Sequence, residues 1–208
     1  MNVSDLKRYN VSHETIEKLQ VIVEQLEKWQ PHINLVAPST MNNVWTRHVI
    51  DSLQLQNLVP QARRWIDLGS GGGFPGLIIA ATFADFKDAQ VTLVESNGKK
   101  CAFLRETARL ADLPVNIIQA RIENTAPHLT DHFDVVSARA LGSLKILLDM
   151  TASIISKGTI GIFPKGQDVE RELKLASISW DLEHELVESQ TEIGAKIVIV
   201  KSAVRTAS

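Results

Sequence analysis

The stretch Trp65-Ile66-Asp67-Leu68-Gly69-Ser70-Gly71-Gly72-Gly73-Phe74-Pro75-Gly76 sets the architecture of the chain. A short apolar run, 65–68, ends in a glycine cluster, and a second apolar run, 77–81, follows at once. That pattern predicts a strand, a tight turn and a helix start. Gly69, Gly71 and Gly73 let the backbone take positive φ and approach a ligand with no Cβ in the way. Pro75 suits a first helical turn, where its missing N–H costs nothing, and the helix start offers unpaired N–H groups. A turn of this kind holds a nucleotide-like cofactor at the carboxyl edge of a parallel sheet.

Two glycine frames fit. The run 71–76 satisfies the dinucleotide pattern G-x-G-x-x-G, and 69–73 satisfies G-x-G-x-G with Asp67 two residues ahead. An anion on the strand side is a poor neighbour for a pyrophosphate and a good one for a cationic ligand with an amino group. S-adenosylmethionine is such a ligand. The first frame keeps an NAD-dependent oxidoreductase as the alternative, although no candidate for hydride-transfer catalysis is evident.

The 208 residues suffice for one substantial domain with a real core. No apolar run reaches the length of a membrane span, and residues 1–6 lack a signal-peptide pattern. Cys101 is the single cysteine, which leaves no disulfide framework and no cysteine zinc site. It is expected to pack as a small apolar residue in a reducing cytoplasm. No His or carboxylate cluster has metal-ligand spacing, so no metal is expected, and the chain is expected to be a monomer. A net charge of −2 argues against holding nucleic acid by bulk charge, while leaving room for a local basic face.

Residues 12–30 read as an amphipathic helix, with Ser12 as N-cap and Ile16, Leu19, Val23 and Leu26 at helical spacing, ended by Pro31. A second helix is expected over 41–58, with Val44, Val49, Leu53 and Leu55 inward. Residues 1–60 then form an N-terminal helical extension packed on the same domain, and 61–208 the cofactor-binding domain. Strands are expected near 64–68, 90–95, 115–119, 133–137, 158–163, 185–192 and 196–201, and helices near 75–84, 98–111, 142–156 and 168–178. This alternation predicts a doubly wound, mostly parallel α/β sheet of seven strands. The last two strands are joined too briefly for a parallel crossover, so they should form an antiparallel hairpin. That plan suits an S-adenosylmethionine-dependent methyltransferase better than a plain dinucleotide fold. Residues 205–208 are expected to fray.

Polar residues follow the strand tips. Glu95, at the tip of the second strand, can accept hydrogen bonds from both ribose hydroxyls; a solvated glutamate is the bland alternative. Ile122 and Glu123, after the third strand, could read an adenine edge or simply cap a helix. Arg139 ends the fourth strand where strand order should reverse, and is a candidate contact to cofactor or nucleic acid, or an ordinary ion pair. Lys165, after the fifth, is a candidate phosphate contact or a solvated loop lysine. His48 and Asp51, three apart on one helix face, could be a general base with its orienting carboxylate. A polar pair that docks the helix on the sheet is favoured over that reading.

These residues resemble the bacterial 16S ribosomal RNA guanine-N7 methyltransferases, also called the glucose-inhibited division protein B family. The resemblance spans nearly the whole chain. Its landmarks are Lys28-Trp29, Asn34-Leu35, Arg47-His48-Val49-Ile50-Asp51-Ser52, the run 65–76, 93–100, Phe103-Leu104-Arg105, Ala120-Arg121-Ile122-Glu123, 133–140 and Lys165-Gly166-Gln167. The glycine run ending Phe74-Pro75-Gly76, joined to the upstream Arg-His-x-x-Asp-Ser, is specific to that family. The resemblance implies methyl transfer from S-adenosylmethionine to N7 of a guanine in 16S ribosomal RNA of the small subunit; a non-catalytic ribosome-binding module that has lost turnover is the alternative, which only an activity measurement separates. It implies cofactor contacts at Gly69, Phe74, Ile122, Glu123 and Arg139, beside the Gly71 and Glu95 already singled out. Arg139 is also the candidate for positioning at the reaction centre, and Arg47, Arg121 and Lys165 are the candidate RNA contacts. Two departures stand out: Glu95 replaces a common aspartate, and Gly72 stands where proline is common, which should make the turn more flexible.

Overall fold

The computed structural model describes Leu6, Tyr9 and residues 11–206. The expected fraying at 207–208 and the N-terminal stretch 1–6, all but Leu6, lie outside the described residues. Seven strands form one sheet: β1 (Arg64–Leu68), β2 (Gln90–Glu95), β3 (Val115–Gln119), β4 (Val135–Ala138), β5 (Ile160–Lys165), β6 (Trp180–Glu188) and β7 (Lys196–Arg205). Their order is β3-β2-β1-β4-β5-β7-β6. The first five are parallel, and β7 runs antiparallel between β5 and β6. Strand order reverses between β1 and β4, the place where doubly wound sheets bind ligands.

Alternation along the strands builds two cores. Trp65, Val91, Leu93 and Val135 face one side, packing on α3 (Gly76–Phe83) and α4 (Gly98–Leu110). Ile66, Leu68, Val94 and Val136 face the other, under α6 (Leu144–Ile155) and α7 (Val169–Ala176), with the short α5 (Ile122–Thr125) following β3. α1 (His13–Trp29) begins at Ser12, whose hydroxyl accepts from the Thr15 N–H at 3.0 Å. Leu19, Ile22 and Leu26 of α1 are fully buried in the first core, as are Val44, Val49, Leu53 and Leu55 of the following helical segment. Both N-terminal helices thus share a core with the sheet.

Three expectations need correction. The second helix is not one continuous α-helix. It is a 3-10 turn at Pro38–Asn43, a π turn at Trp45–Ile50 and then α2 (Asp51–Leu58). Ser52 Oγ donates to the His48 carbonyl at 2.6 Å in the wide turn. β6 starts at Trp180 rather than near 185, because β7 continues to Arg205 and pairs with it throughout. Arg205 is not frayed: it ends β7 and bonds Asp149 at 2.8 Å. Among the described residues no helix is long and apolar enough to cross a membrane.

Candidate active site

The glycine turn emerges from β1 at the switch point. Gly69 (φ 68°), Gly71 (φ 53°) and Gly73 (φ 85°) are all left-handed, whereas Gly72 and Gly76 are not. The backbone therefore uses the G-x-G-x-G frame of 69–73. Gly69 and Ser70 turn their N–H groups back to the Val94 carbonyl at 2.8 and 3.1 Å. Gly72 also has a packing role. A Cβ there would lie 2.9 Å from the Leu35 carbonyl oxygen, so its lack of a side chain lets the 34–38 segment close over the turn.

A cavity of about 440 Å³ opens above the turn, lined by Gly69, Gly71, Phe74, Glu95, Ile122 and Glu123 among others. Glu95 is buried. Its two oxygens accept from the Gly71 N–H at 2.9 Å and the Asn97 N–H at 2.7 Å. A carboxylate has about four acceptor positions, so each oxygen keeps capacity for a hydroxyl donor. A Cβ added at Gly71 would have no neighbour nearer than 3.7 Å, so the cavity is open on that side. These groups fit a nucleoside with a free ribose diol.

Asp67 lies below the turn and is not on the cavity wall. It is fully buried; Ser137 Oγ donates to its Oδ1 at 2.7 Å, and Trp65 Nε1 donates to Ser137 Oγ at 2.8 Å. Burial pushes its carboxyl up to about 6, against the opposing pull of Ser137. Its observed role is to tie β1 to β4 through Ser137.

A second cavity, about 770 Å³, adjoins the first on the β4–β5 side. Leu35, Val36, Arg139 and Ala140 line both. Arg139 is held by the N-terminal helical segment. Its Nη1 donates to Asp51 Oδ2 at 3.1 Å and to the Arg47 carbonyl at 3.3 Å, and its Nη2 donates to His48 Nδ1 at 2.8 Å. The next residue, Ala140, sits at φ 57°, an uncommon conformation for a side chain with Cβ and one that clusters at functional sites.

The guanidinium can only donate, so His48 Nδ1 must accept and Nε2 carries the proton toward Thr40 Oγ1, 2.8 Å away. The ring stacks on Phe74 with centroids 4.8 Å apart. Burial first, and then the charges of Arg139 and Arg47, push the imidazole down to about 4. His48 is neutral with both nitrogens committed, and His48 and Asp51 meet through Arg139. The docking interpretation of this pair is the one the geometry shows.

Asp67 and His48 give a signed pH test. The Asp67 carboxyl is raised in the fold, so its contribution is complete below about pH 4 and lost as pH rises through 6, about 3 kcal/mol in all. The His48 imidazole is lowered, so its contribution is complete above 6.5 and lost as pH falls through 4, about 3 kcal/mol. The two slopes oppose. Against wild type in urea titrations from pH 4 to 7, Asp67→Asn should gain stability as pH rises, and His48→Gln should lose it. Slopes parallel to wild type in both variants would refute these assignments.

The three candidate RNA contacts do not form one patch. Arg47 and Lys165 line the larger cavity, and Arg121 lines the smaller one. Arg47 pairs with Glu192 at 2.9 Å. The Lys165 side chain is only 8% exposed and its ammonium is bound to Glu172 at 2.7 Å and to the Gly142 carbonyl at 2.8 Å. Its charge is spent inside the chain, where it ties β5 to the start of α7 and to the loop before α6. Sequence reasoning names Asn34-Leu35 only as a landmark of the resemblance and missed 36–38, Thr40 and the 189–195 loop, none of which carries a chemical motif. Among the described residues no group of three or more His, Cys, Asp or Glu is placed to hold a metal ion.

Residues 15–199 match the family model described as rRNA small subunit methyltransferase G. A curated protein named Ribosomal RNA small subunit methyltransferase G, from Methylorubrum populi, is 48% identical over 96% of this chain and 94% of its own length. Its namesake from Methylobacterium radiotolerans is 49% identical over 91% of this chain and 89% of its own. Among solved structures, the SAH-bound Podospora anserina methyltransferase superposes with a TM-score of 0.62 at 13% identity, covering 91% of this chain and 96% of that one.

Proposed function

Because the chain belongs to the rRNA small subunit methyltransferase G family, we propose a division of labour between the two cavities for its reaction. The chain transfers a methyl group from S-adenosylmethionine to N7 of a guanine in 16S ribosomal RNA. The single observation that carries the division is that Arg139 and Ala140 line both cavities. The smaller takes the cofactor and the larger takes the guanine.

When bound, the cofactor supplies an electrophilic methyl group on a sulfonium. The chain's own task is alignment and exclusion of water. Guanine N7 has a free lone pair and no proton, so a neutral, fully bonded His48 is compatible with the reaction and no general base is needed. Glu95 accepts from the ribose hydroxyls while holding Gly71 in place. Ile122 and Glu123 form the adenine side, and Gly69 and Phe74 the floor. Arg139 has five N–H groups, three of them fixed by the N-terminal segment, which leaves two for a ligand at the junction. Arg47 and Arg121 flank the path of the RNA, and Lys165 braces it. Residues 34–51 of the N-terminal extension serve as one wall of the cleft, and the chain works as a monomer in the cytoplasm without a metal.

Methyl incorporation into small subunits from a strain lacking the enzyme, with the modified base located by mass mapping, tests the reading. Label at N7 of one guanine is the expected result; label elsewhere or none overturns it. Glu95→Ala should weaken S-adenosylmethionine binding about thirty-fold by calorimetry, the loss of charge-assisted hydrogen bonds worth about 2 kcal/mol. Unchanged affinity would place Glu95 outside the site.

A further inference from the structure

The loop 189–195, joining β6 to β7, presents Ile193 at its tip with 94% of its surface exposed. No other large hydrophobic side chain among the described residues is so bare. A flexible loop could fold such a side chain away, but this loop is braced. The Gln190 N–H donates to Gln54 Oε1 at 2.9 Å, and Thr191 Oγ1 donates to Asp51 Oδ1 at 2.6 Å. Glu192 pairs with Arg47 at 2.9 Å, and Gln167 Nε2 donates to the Ile193 carbonyl at 3.3 Å. Ser189, Glu192 and Ala195 line the larger cavity, so the tip stands at its mouth.

We infer that Ile193 is a wedge that enters the RNA base stack at the place the target guanine vacates. This rests on the assignment of the larger cavity to guanine. A stacked guanine must be unstacked to reach a cofactor at the strand ends, at a cost of a few kcal/mol. Apolar side chains that insert between bases offset such a cost by refilling the gap. A β-branched side chain on a rigid loop suits this, since it is stiff about χ1 and loses little freedom on insertion. The same braces fix the wedge relative to the methyl-transfer junction: Asp51 accepts from Thr191 through Oδ1 and from Arg139 through Oδ2.

The test uses small subunits lacking the modification and a 16S RNA fragment with 2-aminopurine beside the mapped guanine. Ile193→Ser should lower kcat/KM on subunits about tenfold and remove most of the 2-aminopurine fluorescence rise seen with wild type. Ile193→Val, which keeps the β-branch, should retain both. Melting temperature and S-adenosylmethionine affinity should match wild type in each, because the side chain touches neither core nor cofactor cavity. Undiminished turnover by Ile193→Ser, or a full fluorescence rise, overturns the wedge alone. No methylation by the wild-type chain overturns the guanine reading and the wedge with it.

Discussion

Arg139→Ala should lower kcat for methyl transfer by two to three orders of magnitude, with S-adenosylmethionine affinity changed only a few-fold. The expected size follows from alignment: a displacement of about 1 Å at a reacting centre can cost about a hundred-fold. The guanidinium does more than present a charge. Through Asp51, the Arg47 carbonyl and His48 it sets the distance between the N-terminal segment and β4. Removing it leaves Asp51 with only its Thr191 and Gln54 bonds, and His48 Nδ1 without a donor. Arg139→Lys should not rescue, because an ammonium cannot reproduce a planar fork that engages three acceptors at once. Single-turnover rates beside calorimetric cofactor affinity decide the matter. Turnover within threefold of wild type in the alanine variant would remove Arg139 from the reaction centre.

Gly69→Val should abolish measurable cofactor binding and lower the melting temperature. Two causes act together. The backbone there is left-handed, which a β-branched residue resists, and a Cβ would lie 2.4 Å from Leu141 Cδ2. Leu141 lines the cofactor cavity, so the clash is transmitted to the cavity wall. Gly71→Ala separates the causes. Its φ is also positive, but its Cβ would meet nothing in the chain closer than 3.7 Å, so for the fold only a strain of about 1 kcal/mol remains. Thermal melts on both variants should rank Gly69→Val far below Gly71→Ala; equal losses of melting temperature would show that strain alone governs the turn.

The sequence discloses the inner parallel strands because β1, β2 and β4 are buried almost throughout, whereas the edge strand β3 is at most half-buried. β1, β2 and β3 begin and end where short apolar runs do. β6 is a solvent-exposed edge strand, so its alternation is faint, and its start at Trp180 follows from the length of its partner instead. The glycine frame is ambiguous on paper, since both patterns share Gly71 and Gly73, and is resolved only by φ. Glu95 and Gly69 are legible as positions because a strand tip or tight turn favours their residue type, whereas Phe74 rests on the resemblance alone. Arg139 is legible as a position but not as a structure. Its three partners lie 88 to 92 residues away, and no local pattern encodes that distance. Lys165 shows the converse: a lysine in a loop-like context proves to be buried against a glutamate seven residues on.

The wall shared by the two cavities has a thermodynamic consequence. Leu35, Val36, Arg139 and Ala140 cannot shift for one ligand without changing the site of the other. Whatever factor bound RNA applies to the cofactor dissociation constant, the cofactor must apply to the RNA dissociation constant. The spent cofactor, which lacks the sulfonium charge, and the methylated base, which has gained one, enter this reciprocity with different coupling free energies than the reactants. The coupling between the two sites is therefore carried by one small stretch of wall, and a single substitution in it changes each ligand's effect on the other's affinity by the same factor.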